Sequence, residues 1–272
     1  MNANVDQISD GIYRISTFVP DIGPTGFTFN QFLVEAEEPL LYHTGMRQLF
    51  PIVRDAVEKV MPVERLRWIA FAHLEADECG AVNEFLEAAP HAQVAHGELG
   101  CNLSFNDQLV RPPRPLADGE VLDLGGAALG RHDLGRHDLG RRVVELATPH
   151  VPHNWESHMF YEEVSGTLFC GDLVSQLGTG PAITSDDLLE AAILAEDVFH
   201  QTSSGPNVPA TYRRLADLAP QRLAIMHGSS YDGDCATLLR ELADVYETRF
   251  GCGGALPAQA LPGHDAAVGA QA

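Results

Sequence analysis

The stretch that most constrains this chain runs from Phe71 to Gly80. Four residues able to bind a metal, His73, Glu75, Asp77 and Glu78, fall within it. An apolar run from Leu66 to Phe71 leads in, and a helical pattern from Ala81 to Ala88 leads out. The pattern reads as a buried strand, a short acidic loop and a helix start. Carboxylates are seldom crowded beside a core strand unless something positive sits among them, because a buried unpaired charge is costly. A dinuclear metal site that begins here is therefore expected, with the rest of the chain supplying the missing ligands.

With 272 residues, 45% of them hydrophobic, the chain can form one large α/β domain or two small ones. No domain-sized linker interrupts residues 1–250, so one domain is expected there. The Gly-, Ala- and Pro-rich tail, 251–272, reads as disordered. Strands are expected at 11–15, 27–34, 40–42, 66–71, 93–95, 121–124, 142–146, 158–164, 167–170 and 223–226. Helices are expected at 47–61, 81–88, 185–200, 208–218 and 235–248, and connectors at 20–26, 111–115 and 174–184. A direct repeat, Arg131 to Gly135 followed by Arg136 to Gly140, carries two His and two Asp. The glycines at both unit ends suit a turn, so it reads as a duplication lengthening a hairpin rather than as a ligand cluster.

The net charge of −21 argues against nucleic acid and anionic membrane surfaces as partners, since both would repel it. The five cysteines, 79, 101, 170, 235 and 252, are odd in number and form no C-x-x-C pair. Neither a disulfide framework nor a zinc knuckle is indicated, and a reducing, cytoplasmic setting follows. The residues from Met1 to Asp6 lack the basic and apolar regions of a signal peptide. No apolar run approaches the roughly 18 to 20 residues needed to span a membrane.

His73, His153, Asp172 and His227 each lie at or just past the end of an apolar, strand-like run. Side chains at strand ends along one sheet edge can converge on a point. Each has a simpler reading alone. A single histidine after a strand is usually a satisfied loop residue, Gly171-Asp172 is a common turn, and Asp77-Glu78 suits a helix N-terminus. Order and spacing together favour a site. The series His73-x-Glu75-x-Asp77, then His153, Asp172 and His227, resembles the metallo-β-lactamase superfamily. From His153 to Asp172 are 19 positions, filled by strand, turn and strand. The rival histidine, His150, would lengthen that interval by three.

The resemblance implies a four-layer αββα sandwich of the α/β (α+β) class. Glu75 stands where zinc hydrolases of the superfamily carry histidine, and in this it resembles the diiron branch, the flavodiiron and oxygen-binding diiron proteins. Carried over by position, one metal would take His73, Glu75 and His153, the other Asp77 and His227, with Asp172 bridging. The chain departs from that branch at Glu78, where the family has histidine, and at His43, where the superfamily usually has aspartate. Glu78 could bind metal or hydrogen-bond a bound water. His150, His158 and Tyr231, with His43, are candidates for contacts behind the ligands or for proton transfer. Trp155 reads as wall packing, and His91, His96, His200 and His264 as surface residues.

Four carboxylates against three neutral imidazoles would neutralise two divalent ions, and hard oxygens favour iron or manganese over zinc. The expected function is thus a dinuclear, diiron protein that binds or reduces O2. The alternative is a hydrolase of an ester, thioester, lactone or lactam using a metal-bound hydroxide. Flavodiiron proteins carry a fused flavodoxin-like domain, for which this chain has no room. A reductase would need a separate electron donor, and an O2 sensor a signalling partner. A homodimer is compatible with the apolar content.

Overall fold

A computed structural model describes residues 2–126 and 140–250. The repeat, apart from Gly140, and the tail from 251 lie outside the described residues. Among the described residues, two seven-stranded sheets face each other. The first contains β1 (Asn4–Ser9), β2 (Ile12–Val19), β3 (Phe27–Val34), β4 (Leu40–Tyr42), β5 (Trp68–Ala70), β6 (Gln93–Gly97) and β7 (Arg114–Leu116), in chain order. The second contains β8 (Val121–Asp123), β9 (Arg142–Ala147), β10 (His158–Glu162), β11 (Thr167–Phe169), β12 (Ile183–Thr184), β13 (Arg222–Ala224) and β14 (Ser230–Tyr231). Their order is β12-β14-β13-β11-β10-β9-β8. Helices α1 (Phe50–Val57) and α2 (Val82–Ala88) cover the first sheet. Helices α3 (Leu189–Phe199), α4 (Asn207–Asp217) and α5 (Cys235–Phe250) cover the second. This is the expected αββα sandwich.

The apolar residues sort into these layers by alternation. In β5, Ile69 packs toward α1 and α2, while Trp68 and Ala70 enter the space between the sheets. In β11 and β13, Leu168 and Leu223 face the helices, while Phe169 and Ala224 face the opposite sheet. Both faces of these strands are covered, so they read as continuous apolar runs rather than as alternating ones. Each fully buried Leu or Phe contributes about 1.5–3 kcal/mol.

Departures from expectation have local causes. β1 was not expected, because Asn4–Ser9 is mostly polar with one fully buried residue; it is held as an edge strand by antiparallel pairing with β2. The expected connector at 111–115 gives way to β7, where Pro115 sits in an edge strand opposite His96. The expected strand 158–164 stops at Glu162, whose buried carboxylate accepts from the Val164 and Ser165 N–H groups and closes the turn. Residues 98–108, read as irregular, form short helical turns. Among the described residues, Cys79, Cys101, Cys170 and Cys235 are buried and unbridged, and no helix is long and apolar enough to cross a membrane.

One edge of the sandwich is tied across by main chain. Asn30 N–H donates to Met226 C=O, and His158 N–H to Ala72 C=O, each at 2.9 Å. At that edge Gly171 takes a φ of 51°. A Cβ there would stand 2.7 Å from the Ala72 Cβ, so only glycine lets the chain after β11 pass this close to the chain after β5.

Candidate metal centre

This edge collects the chemistry. His73 and Glu75 follow β5, His153 lies between β9 and β10, Asp172 follows β11 and His227 follows β13. β11 pairs in parallel with β13, with Phe169 opposite Ala224. Asp172 and His227 thus leave the same rung side by side, with Asp172 Oδ1 3.1 Å from His227 Nε2. One ligand atom each from His73, Glu75, His153 and Asp172 lies within 4.8 Å of the others. The Nε2 atoms of His73 and His153 are each 3.0 Å from Glu75 Oε2 and 3.6 Å from Asp172 Oδ2. Asp77 Oδ2 lies 3.4 Å from His227 Nε2. Asp172 therefore stands between two half-sites, with one oxygen toward His73, His153 and Glu75 and the other toward His227.

Partners behind the rings set their orientation. His153 Nδ1–H donates to Gln201 C=O and His227 Nδ1–H to Thr28 C=O, each at 2.9 Å. A carbonyl can only accept, so Nδ1 keeps its proton and Nε2 is the atom offered to a metal. Gln201 Nε2 donates to Asp172 C=O at 2.9 Å. Asn30 Nδ2 and Arg14 Nη2 donate to Gly228 C=O, each at 2.8 Å. Glu156 accepts from Leu74 N–H at 2.9 Å. Sequence reasoning missed these supports. Asn30-Gln31, a polar pair inside an apolar strand, was the one visible signal; Gln201, Arg14 and Glu156 are ordinary residues in ordinary surroundings.

The electrostatics suit a cation. Hydrogen bonds from His153 and His73 hold the Glu75 carboxyl down to about 2. Burial pushes Asp172 up, but His227, by hydrogen bond and charge, and then His73 and His153 outweigh it and hold Asp172 well below the usual carboxylate range. Burial lowers His153 and His227, yet hydrogen bonds to Glu75 and to Asp172 respectively, with the charge of Asp172 on both, raise each above the ordinary imidazole value. Asp77 is pushed up to about 6, mainly by burial. Glu78 is pushed well above the usual range, by burial first and then by Asp172 and Asp77. Bound cations would relieve this crowding of negative charge.

The structure brings together His73, Glu75, Asp77, His153, Asp172 and His227. Glu78 is turned to the other side of His73: its Oε2 accepts from His73 N–H at 2.7 Å, and its Oε1 lies 3.4 Å from His73 Nδ1. His43 joins it there, with Nε2 3.4 Å from the same Oε1. His150 is exposed on a turn, where its N–H donates to Asn154 C=O at 2.7 Å, and it is not part of the converging group. His158 lies behind the loop: its Nε2–H donates to Phe71 C=O at 2.7 Å, and its ring packs 3.9 Å from that of His96. His96, expected at the surface, is therefore fully buried, while His91 and His200 are exposed; His264 lies outside the described residues. Tyr231 belongs to the apolar layer under α3–α5. Trp155 is 38% exposed rather than packed in a wall.

Over the centre opens a cavity of about 520 Å³, roofed by Ile22, Phe27, Phe29, Met46 and Phe199. Phe27 stacks on the His227 ring, centroids 4.0 Å apart.

Comparison with known proteins agrees with this architecture. The chain is 24% identical over 213 residues to a Nostoc protein assigned as diflavin flavoprotein A 1, covering 75% of this chain and 33% of that one. It is 26% identical over 109 residues to the rubredoxin-oxygen oxidoreductase of Megalodesulfovibrio gigas, covering 38% and 26%. The chain thus spans about a third of the length of the first of these relatives. Among solved structures, a flavoprotein from Thermotoga maritima superposes with a TM-score of 0.74 at 19% identity, over 90% of this chain and 62% of that one. The Nostoc diflavin flavoprotein A 5 fragment gives 0.74 at 16% identity, over 91% and 98%. At such identities the structures establish the fold alone. The model of the ODP family beta lactamase matches residues 27–228, a span that holds every converging side chain from His73 to His227, and to that family the chain belongs.

Proposed function

We propose that this chain holds two iron ions and acts in the binding or reduction of O2. The reading rests above all on Glu75, a carboxylate whose Oε2 lies 3.0 Å from two imidazole Nε2 atoms at once. His73, Glu75 and His153 would hold one ion, and Asp77 and His227 the other, with Asp172 bridging. The donors fit. All three imidazoles direct Nε2 inward, and Asp172 turns Oδ2 toward His73 and His153 and Oδ1 toward His227. A set with as many carboxylates as imidazoles favours iron or manganese over zinc. Iron bound there would supply the electrons passed to O2.

The protein's own groups do the rest. Gln201 and Thr28 keep the Nε2 atoms of His153 and His227 available as ligands. Phe27, Phe29 and Phe199 make the approach apolar, which suits a small uncharged substrate and keeps bulk water off the centre. Electrons would come from a separate donor, in keeping with the rubredoxin-oxygen oxidoreductase of Megalodesulfovibrio gigas among its relatives.

The test is metal analysis of anaerobically purified protein, followed by admission of O2 while the visible spectrum is recorded. Two irons per chain and a new charge-transfer band are expected. Two zincs, a silent spectrum and turnover of a thioester or lactone would replace this reading with the hydrolytic one.

A further inference from the structure

Behind the ligand face of His73 lies a second buried polar group that the centre itself does not use. His43, His73 and Glu78 are each fully buried. Three of their atoms, His43 Nε2, His73 Nδ1 and Glu78 Oε1, lack a well-formed hydrogen bond, and they face one another. We propose that Glu78 is a positioning residue: its carboxylate takes the Nδ1–H of His73, fixing the tautomer and ring angle with which Nε2 meets the metal, while the His43 ring closes the pocket on its far side. The proposal rests on the metal-centre reading above.

Direction is the first argument. The two nitrogens of an imidazole point away from each other. Nε2 of His73 faces Glu75 and Asp172, at 3.0 and 3.6 Å, while Nδ1 faces Glu78 at 3.4 Å. A carboxylate on the Nδ1 side cannot also reach a metal on Nε2. Grip is the second. Glu78 Oε2 accepts from the His73 main-chain N–H at 2.7 Å, so one carboxylate holds both the backbone and the ring of residue 73. Anchoring is the third. Thr44 N–H donates to Glu78 C=O, and His43 N–H to Ala70 C=O, each at 2.7 Å. His43 accepts a left-handed φ of 66° to stand there, a conformation that non-glycine residues adopt only when their surroundings hold them in it.

The consequence is an asymmetry. His153 and His227 are backed by neutral carbonyls, and His73 alone by a carboxylate. A carboxylate behind the ring raises ligand basicity, so the half-site containing His73 should bind its ion more tightly. Glutamine at 78 would keep the shape but offer one acceptor oxygen where two N–H donors must be met.

The test uses the full metal-free chain titrated with cobalt(II) against a competing chelator. Wild type should take up two ions with distinct affinities. Glu78→Gln should still take up two, with the tighter site weakened roughly 10- to 100-fold and the weaker one within about threefold. Nitrogen-15 histidine NMR of the zinc-loaded protein supplies the readout that a general loss of stability would not move. In wild type the His73 Nδ1 proton should resonate downfield of those of His153 and His227 and exchange slowly with solvent, and E78Q should shift that proton alone. Loss of one ion in E78Q would make Glu78 a ligand and overturn the proposal. So would unchanged affinities with an unmoved proton. If E78Q does not fold, wild type decides: His73 metallated through Nδ1, or lacking a proton there, overturns it. Wild type that binds no metal would instead sink the metal-centre reading itself.

Discussion

Gly171→Ala is expected to destabilise the metal-free protein by about 2–5 kcal/mol, the sum of two terms. The backbone at 171 has φ 51°, and a residue with a Cβ in that left-handed region costs roughly 1–2 kcal/mol. The new methyl would also stand 2.7 Å from the Ala72 Cβ, well inside the ordinary carbon contact of about 3.5–4.0 Å. Overpacking of this kind costs about 1–3 kcal/mol. Ala72 cannot simply retreat, because its carbonyl accepts from His158 N–H at 2.9 Å and its neighbour is His73. Chemical denaturation with an unchanged m-value would measure the loss. Ala72→Gly in the same chain should remove the clash but not the backbone term, and it carries a small cost of its own, about 0.8 kcal/mol for the lost methyl. The double variant should therefore be less destabilised than the two single changes summed, by about 1–3 kcal/mol. A loss below about 1 kcal/mol in Gly171→Ala, or strict additivity in the double variant, would refute the close-approach argument.

Metal uptake should weaken as pH falls. His153 and His227 have raised pKa values, so their Nε2 protons persist to higher pH than on free imidazole and must be displaced by the incoming ion; proton release on metal addition, followed with an indicator, would measure this, and a pH-independent affinity would contradict it. The same shifts bound the stability of the metal-free protein. Glu75, held down to about 2, stabilises above the ordinary carboxyl value of 4.5, and that contribution is lost as pH falls toward about 2. The raised histidines stabilise at low pH, and their contribution is lost as pH rises through their folded-state values. Gln201→Ala removes the donor to Asp172 C=O and loosens the segment that holds His153, and is expected to lower metal affinity roughly 10- to 100-fold by chelator competition. Phe27→Ala strips the ring stacked on His227, and a melting series should show a loss near the lower end of about 3–5 kcal/mol, since this ring borders a cavity rather than a closed core; no measurable change would show that the roof does not support His227.

The strands nearest the centre were legible because both their faces are buried. Phe27–Val34 and Trp68–Ala70 carry apolar residues on both sides, and their ends coincide with the ligand residues. Order and spacing located His73, Glu75, Asp77, His153, Asp172 and His227, which the structure brings to one edge. Contacts between distant segments were not legible. His96 is a histidine after a short apolar run until Phe71, Phe105 and His158 close around it. Tyr231 lies four residues beyond His227, yet its ring joins the layer under α5. Glu78 and Asp77 are adjacent in a short helical turn, yet Asp77 faces His227 while Glu78 faces the back of His73. No spacing argument separates two neighbours in an acidic run. β1 and β7 were missed for another reason: edge strands are held by main-chain pairing, which side-chain patterns do not report.

The main-chain ties between the sheets at the metal edge bear on how such a centre can change. Because Asn30 to Met226 and His158 to Ala72 are backbone contacts, the spacing of the rim does not depend on which side chain stands at 75. Exchanging a donor there alters the appetite for one ion over another while the scaffold keeps its shape. Chemistry at this edge can therefore diverge one substitution at a time, without the fold having to be found again.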